Sequence, residues 1–495
     1  MTPSTRPAWS PSISSVQPHI AIARRPRPIG RRTIDVDHPL VLLVLTLLAA
    51  GLTALATYRL DLAGALLAVV AAITIACVIL GLQGLVVPLM VAALLPLPLI
   101  TIRSAGFGPA TFAAPVILAA GILIARRRQV PVRILYRWWA VALVTVAAVS
   151  VLNSWLFWDP NVGVRQDRGF GHRWLGYQVT AIFFLAIPFL ALMAGMVFGQ
   201  LERLKALYYG VLASLTGTAL LGLWGWWHNP VNPLDIYPTG QRPNINPDAT
   251  AFLIVLATAL LIWTRSARWR LLAIVLLAIG LVAAYLSYYL DVWLAALGAV
   301  AVLVGGRWGW RGVLAWLGGL AAVALAVLPV LNTIVTQRLL GNDSDRILLW
   351  QSALTIWSKS PVMGVGAGNL ASYMESYSRF SITYVLQGYQ AAHNIFLELL
   401  AEIGVVGLVV FLGFFISVLV KLLRRVDEMD RFHRQFRSAA AGMLVASAIM
   451  ASVGSGLVPT IATEGWSAVA PVLLTWFFAG CALTLSLGKP GTVAA

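Results

Sequence analysis

Gln390-Ala391-Ala392-His393-Asn394-Ile395-Phe396-Leu397-Glu398-Leu399-Leu400 joins two kinds of sequence. Before it lies the one long polar-faced stretch of the chain, residues 332–394. After it an apolar run continues to Val420. A membrane-spanning helix needs about 20 such residues, and comparable runs recur along all 495 positions. The junction therefore puts His393 at a membrane surface and makes 332–394 the one large loop outside the bilayer. Composition agrees. Of the residues, 60% are hydrophobic and 11% charged, with a mean hydropathy of +0.85, whereas soluble domains carry about 25% charged residues.

Working outward, spans are expected near 39–57, 62–81, 84–101, 110–125, 138–157, 177–198, 206–227, 248–264, 271–289, 291–305, 312–331, 396–420, 438–457 and 468–487, about fourteen in all. The expected fold is an all-α polytopic membrane protein. Its helical bundle covers 39–487, and its large outer loop carries short helices. A disordered basic tail is expected at 1–38 and a short tail at 488–495. The boundaries near 289–291, where two short spans meet, stay open. The N-terminal segment has no apolar core followed by a small-residue cleavage site, so it reads as a tail rather than a signal peptide. Cys77 and Cys481 fall inside apolar runs, which excludes a disulfide framework or a metal knuckle.

The net charge of +17 is a topology signal. Arg24, Arg25, Arg27, Arg31 and Arg32 open one polar segment; Arg126, Arg127, Arg128, Arg133 and Arg137 fill another. Arg265, Arg268 and Arg270 form a third, and Lys421, Arg424, Arg425, Arg431, Arg434 and Arg437 a fourth. These lie on alternate loops, the positive-inside pattern, and both termini are expected in the cytoplasm. The implied partner is the lipid bilayer, not nucleic acid. Several arginines run against the bias: Arg165, Arg168 and Arg173 in one outer loop and Arg242 in another. An anionic ligand gives them a reason.

Within 332–394, Ile347, Trp350, Leu354 and Trp357 recur with helical periodicity, and the two Trp suit headgroup depth. Asp343, Ser344 or Asp345 can cap this helix. Arg346 would then occupy its first turn, where the helix dipole disfavours a cation, so it is poorly explained as a helix stabiliser. Gly364-Val365-Gly366-Ala367-Gly368-Asn369 lacks the preceding strand of a nucleotide-binding loop. It reads as a tight turn bringing the backbone close to a second short helix near 370–377.

Three pieces of this region resemble a known family. Arg346-Ile347-x-x-Trp350-x-x-Ala353, with Ser360-Pro361-Val362-Met363-Gly364-Val365-Gly366-x-Gly368-Asn369, is similar to the loop of the O-antigen ligase and polymerase (Wzy-type) superfamily. So is Ala392-His393-Asn394-x-x-Leu397-x-x-x-Ala401-Glu402-x-Gly404-x-x-Gly407. Arg242-Pro243-Asn244-Ile245-Asn246-Pro247-Asp248 resembles a segment opening a membrane helix there, with Asp248 where Asn is usual. The ligase-like region is about 242–420. The chain departs from many relatives at Ser287-Tyr288-Tyr289-Leu290-Asp291, which lacks the Arg of their Ser-Arg-Gly type turn.

The resemblance implies a glycosyltransferase of the inner membrane, acting at its outer face. It would move a glycan from an undecaprenyl-pyrophosphate carrier to an acceptor glycolipid, glycan or protein. Ligation to lipopolysaccharide core and polymerisation of lipid-linked repeats for exopolysaccharide or capsule both fit. No cofactor, nucleotide sugar or metal is implied. The catalytic positions carried over are His393 and Arg346, with Arg242 as a further pyrophosphate-binding residue.

The residue types suit that chemistry on their own. Guanidinium groups match phosphate oxygens in pairs. An imidazole titrates near the working pH of a general base, and a protonated His393 would equally pair with pyrophosphate. Asp291 and Glu398, carboxylates in apolar runs, and Asn394 beside His393 are further candidates. Plainer roles compete: Arg346 as an ion-pair partner of Asp343 or Asp345, His393 as a helix-start hydrogen-bonder, Arg242 as a snorkelling side chain, and structural hydrogen bonding for Asp291 and Glu398. No His-x-His, Cys-x-x-Cys or His-Glu-x-x-His occurs, although Asp343 and Asp345 have the spacing of an Asp-x-Asp site. The rival class is a flippase or secondary transporter. Such proteins gather charge at the bilayer midplane between repeated halves, whereas here the charges sit on loops and no repeat is visible.

Labelling of Tyr384→Cys in a Cys77→Ser, Cys481→Ser background tests the topology. A membrane-impermeant maleimide should reach position 384 from outside. Labelling from the cytoplasmic side alone would reverse the assignment.

Overall fold

The computed structural model describes residues 100–102, 105–107, 136–157, 159–162, 175–199, 204–230, 245–377, 391–424, 429–454, 456–459 and 469–485. Arg242, both tails, the spans expected at 39–57, 62–81 and 110–125, and most of 84–101 lie outside these residues. A three-residue ribbon pairs β1 (Ile100–Ile102) antiparallel with β2 (Ala105–Phe107), where a span end and a loop were expected. Ile100, Thr101 and Ile102 are all β-branched, which favours extended backbone.

The remaining regular structure among the described residues is helical: α1 (Arg137–Leu156), α2 (Leu175–Phe198), α3 (Leu204–His228), α4 (Pro247–Trp263), α5 (Ala267–Ser287), α6 (Leu290–Trp357), α7 (Leu370–Tyr377), α8 (Ile395–Leu423), α9 (Arg431–Ala451) and α10 (Val469–Thr484). Five segments are long and apolar enough to cross a membrane: Arg137–Leu156, Leu204–His228, Ala267–Ser287, Leu290–Ala322 and Ile395–Leu423. Phe184–Met196, Pro247–Trp263 and Pro471–Thr484 are shorter apolar helices. Val141, Leu152, Leu271, Ile274, Val282, Val409 and Ile416 stand exposed on helix faces. Water tolerates few apolar surfaces of that extent; lipid does. The protein is a helical multi-pass membrane protein.

α4 is the central helix and packs against α3, α5, α6 and α9. Its start is set locally. Asn246 accepts from the Ala249 N–H at 2.8 Å, Pro247 takes the first helical position, where its missing N–H costs nothing, and Asp248 complements the dipole. At the other end of the bundle, α9 begins at Arg431, a turn or two before the span expected from 438. Asp430 caps it, accepting from the His433 N–H at 2.8 Å. Arg437 then closes the last turn of α8. Its guanidinium donates to the carbonyls of Leu422 at 2.9 Å and Arg424 at 2.6 Å, and to that of Lys421. One arginine of the positive-inside cluster thus satisfies carbonyls that a helix end leaves orphaned.

α6 is two arms. Gly309, at φ 71° and ψ −163°, breaks it, a conformation glycine adopts without penalty. Trp316 Nε1 donates to the Leu297 carbonyl at 3.3 Å, although residues that far apart in one straight helix would be separated by ~28 Å. The arms 290–308 and 310–357 therefore lie side by side.

The second arm corrects two expectations. It stays helical through 332–345 to Trp357, so the outer segment opens as helix rather than loop, and no helix starts at Asp343–Asp345. Mid-helix Asn, Asp and Ser each cost only about 0.7 kcal/mol relative to Ala, while a second start would require a fresh nucleus. Arg346 therefore lies in a helix body, and the dipole objection to it falls away.

Candidate functional site

The candidate site is built on a broken helix. Gly404 interrupts α8 at φ 69° and ψ −176°. In an unbroken helix the Val405 and Val406 N–H groups would bond the Ala401 and Glu402 carbonyls. Residues 361–366 take up all four groups instead. Val365 N donates to the Ala401 carbonyl at 2.8 Å and Gly366 N to that of Glu402 at 2.9 Å; Val405 N donates to the Pro361 carbonyl at 3.0 Å and Val406 N to that of Val362 at 3.4 Å. Left unmade in an apolar interior, each would cost about 1–3 kcal/mol. The contact is backbone on backbone. A Cβ at Gly364 (φ +73°) would overlap the Glu402 carbonyl, and one at Gly404 (φ +69°) would overlap that of Val362. The tight turn read from the glycine run is present, and its target is the gap in α8.

A buried polar net pins this turn from two other helices. Ser150 Oγ donates to the Glu402 carbonyl at 2.6 Å, and Asn153 Nδ2 to the Gly364 carbonyl at 3.4 Å. Gln178 Nε2 donates to Ser154 Oγ at 3.2 Å and Asn369 Oδ1 at 3.3 Å, while its Oε1 accepts from Trp155 Nε1 at 2.8 Å. Asn369 Nδ2 returns to the Val365 carbonyl at 2.9 Å. Glu402 Oε1 accepts from the Leu370 N–H at 3.3 Å, at the start of α7. Ser150, Ser154, Gln178 and Asn369 are buried, so each bond lies where an unsatisfied polar group is expensive. Sequence reading missed this net. Its one trace was Ser150, Asn153 and Ser154 at helical spacing in an apolar span.

Farther out, Tyr377 donates to Asp159, and Lys359 Nζ stands 4.5 Å over the Tyr377 ring. The Tyr377 hydroxyl, then the Asn161 N–H, hold the Asp159 carboxyl below its ordinary range. A depressed carboxylate keeps its contact at neutral pH and loses it only as pH falls through the lowered value.

One small core closes over the turn. Ala353 and Ile356 of α6, Val365, Leu370, Tyr373 and Met374 around α7, and Ala392 and Ala401 bury together, with Trp350 and Leu397 packed against them. Both ends of the outer segment thus meet one core. Arg346, half-buried, lies one turn before Trp350 and about two before Ala353, on the same side of α6. His393, also half-buried, follows the fully buried Ala392. Its φ of +48° is uncommon for a side-chain-bearing residue, and His tolerates it better than most.

The family model described as O-antigen ligase matches residues 249–412. Over that stretch the chain is similar to the O-antigen ligase family. The matched stretch runs from the first turn of α4 past the Gly404 break and contains both halves of the stitched contact, together with Arg346 and His393. No curated protein matches the chain.

Within the matched stretch the remaining candidates separate by position. Asn394 is the N-cap of α8, its Oδ1 accepting from the Phe396 and Leu397 N–H groups at 3.1 and 3.2 Å. That explains it as a helix start. Glu398 is buried in the first turn of the same helix, and Asp291 is in the first turn of α6; the dipole favours a carboxylate at both. Val292, next to Asp291, belongs to the large membrane core rather than the loop core. The side chains of Asp343 and Asp345 lie outside the described ones, and no cluster of three or more His, Cys, Asp or Glu able to hold a metal occurs among the described residues. The buried stripe of α6 also differs from the expected face. Leu349, Ser352, Ala353 and Ile356 are buried, while Ile347 and Leu354 are exposed. Small residues admit close backbone approach and carry little hydropathy.

Gly364→Ala should destabilise the purified protein by about 3 kcal/mol or more, through strain and overlap together. Gly318→Ala, where a Cβ meets nothing within 4 Å, should be neutral or slightly stabilising. Thermal unfolding in detergent reads both. Equal midpoints for the two variants would contradict the stitched contact.

Proposed function

We propose that the protein is an O-antigen ligase-type enzyme that transfers a glycan from an undecaprenyl-pyrophosphate carrier to an acceptor at the outer face of the inner membrane. We read it as a ligase of surface polysaccharide. What supports this is the meeting of the Arg346 and His393 ends of the outer segment on one core, inside the stretch that the family model matches. The full topology in this reading has about fourteen spans with both termini cytoplasmic. A polymerase joining lipid-linked repeat units is the second reading, favoured by the missing Arg at Ser287-Tyr288-Tyr289.

The chemistry assigned to each residue follows from charge flow. The acceptor hydroxyl attacks the anomeric carbon, the bond from that carbon to the carrier oxygen breaks, and negative charge collects on the leaving pyrophosphate. Arg346, and Arg242 as a further donor in this reading, bind those oxygens through paired N–H groups and stabilise the charge where water is scarce. His393 takes the acceptor proton. Its positive-φ backbone, between buried Ala392 and the cap of α8, supports a well-ordered position for this residue. Lipid pyrophosphate is already an activated donor, so no metal is assigned a step, and transfer should persist in excess chelator.

Transfer by purified protein from a lipid-pyrophosphate glycan tests these roles. Arg346→Lys keeps the charge and loses the fork, so activity should fall on the order of 10–150-fold, the rate equivalent of one charge-assisted hydrogen bond. His393→Ala should cost about 10²–10⁴-fold without abolishing carrier binding. Near-wild-type transfer by both Arg346→Lys and His393→Gln, at equal protein level, would overturn the assignment.

A further inference from the structure

At the end of the bundle opposite His393, three separate segments converge on an open cavity of about 270 Å³. Trp263 at the end of α4, Arg265 and Arg270 around the start of α5, Arg307 at the end of the first arm of α6, and Arg431 and Arg434 at the start of α9 line it. Arg307 and Arg434 stand 5.2 and 6.0 Å from the centroid of the Trp263 ring. Arg270 and Arg434 are anchored through Nε, to the Thr264 carbonyl at 3.2 Å and the Met429 carbonyl at 2.9 Å. Arg431 feels the like charges of Arg265, Arg307 and Arg434. No carboxylate is among the described residues lining the cavity.

Two facts set this apart from a topology signal. The positive-inside bias needs only a count of charges on a loop; it does not require five guanidinium groups from three distant segments to face one hollow against their own repulsion. Trp263 is also 9% exposed, and its indole N–H is buried without an acceptor among the described residues. The five guanidinium groups are all donors and hold no acceptor of their own. An acceptor of negative charge is the missing chemistry.

We propose that this cavity binds a phosphate-bearing anion, either the phosphate of an anionic phospholipid headgroup or a soluble phosphate. Guanidinium groups pair with phosphate oxygens two at a time, and on the topology proposed above the cavity faces the inner leaflet, where anionic lipid is concentrated. The inference does not depend on the proposed transfer reaction.

The purified full chain in nanodiscs decides it. Inorganic pyrophosphate is titrated against discs of phosphatidylcholine alone, and discs containing phosphatidylglycerol are compared in parallel, with the thermal midpoint and lipid retained in native mass spectrometry as readouts. One arm should raise the midpoint, less so as salt increases, and that arm names the source. The paired variant Arg265→Gln, Arg431→Gln should bind on the order of 100-fold more weakly, whereas Arg268→Gln, outside the cavity, should match wild type. If the pair fails to accumulate, Arg265→Gln alone should weaken binding about tenfold. No shift from either arm, or an equal response from the cavity variants and Arg268→Gln, would overturn the proposal.

Discussion

A helix broken inside an apolar bundle leaves four backbone groups that must find partners, and at Gly404 all four find them in residues 361–366. The end of the bundle that carries Arg346 and His393 depends on this exchange. It welds the turn after α6 to α8 by main-chain bonds. Only glycine at 364 and 404 permits the approach. The polar net from α1 and α2 then fixes the weld from outside, with Ser150 reaching the same Glu402 carbonyl that the turn uses.

That arrangement bears on chemistry because it fixes both ends of one long segment. Arg346 rides on a helix whose next turns bury Ala353 and Ile356, and His393 is bracketed by buried Ala392 and the cap residue Asn394. Residues held by a packed core lose little freedom when substrate arrives, which is what the role proposed for Arg346 requires. The opposite end is organised on another principle. There Arg437 closes α8, while five other arginines remain around a hollow.

What could be read from sequence was whatever is written locally. Asn246-Pro247 and Asn394 mark helix starts by their own side chains, the 370–377 helix follows its turn, and apolar runs of spanning length announce themselves. What escaped is non-local. Gly404 sits in a 29-residue apolar helix, where a glycine is ordinary in membranes, and nothing near it names residues 361–366 as its partner. Gln178 looks like one polar interruption until Ser154 and Asn369 are brought to it. Asp343, Ser344 and Asp345 look like a cap, yet the helix passing through them overrides local preference. Ser352 and Ala353 give too little hydropathy to show which face of α6 is buried.

Amide hydrogen exchange at four positions tests the weld most directly. If residues 361–366 complete the broken helix, the amides of Val365, Gly366, Val405 and Val406 should be protected together and open together, with matching protection lost at the same denaturant concentration. Val365 and Gly366 exchanging at open-loop rates, while Val405 and Val406 stay protected with the rest of α8, would contradict it.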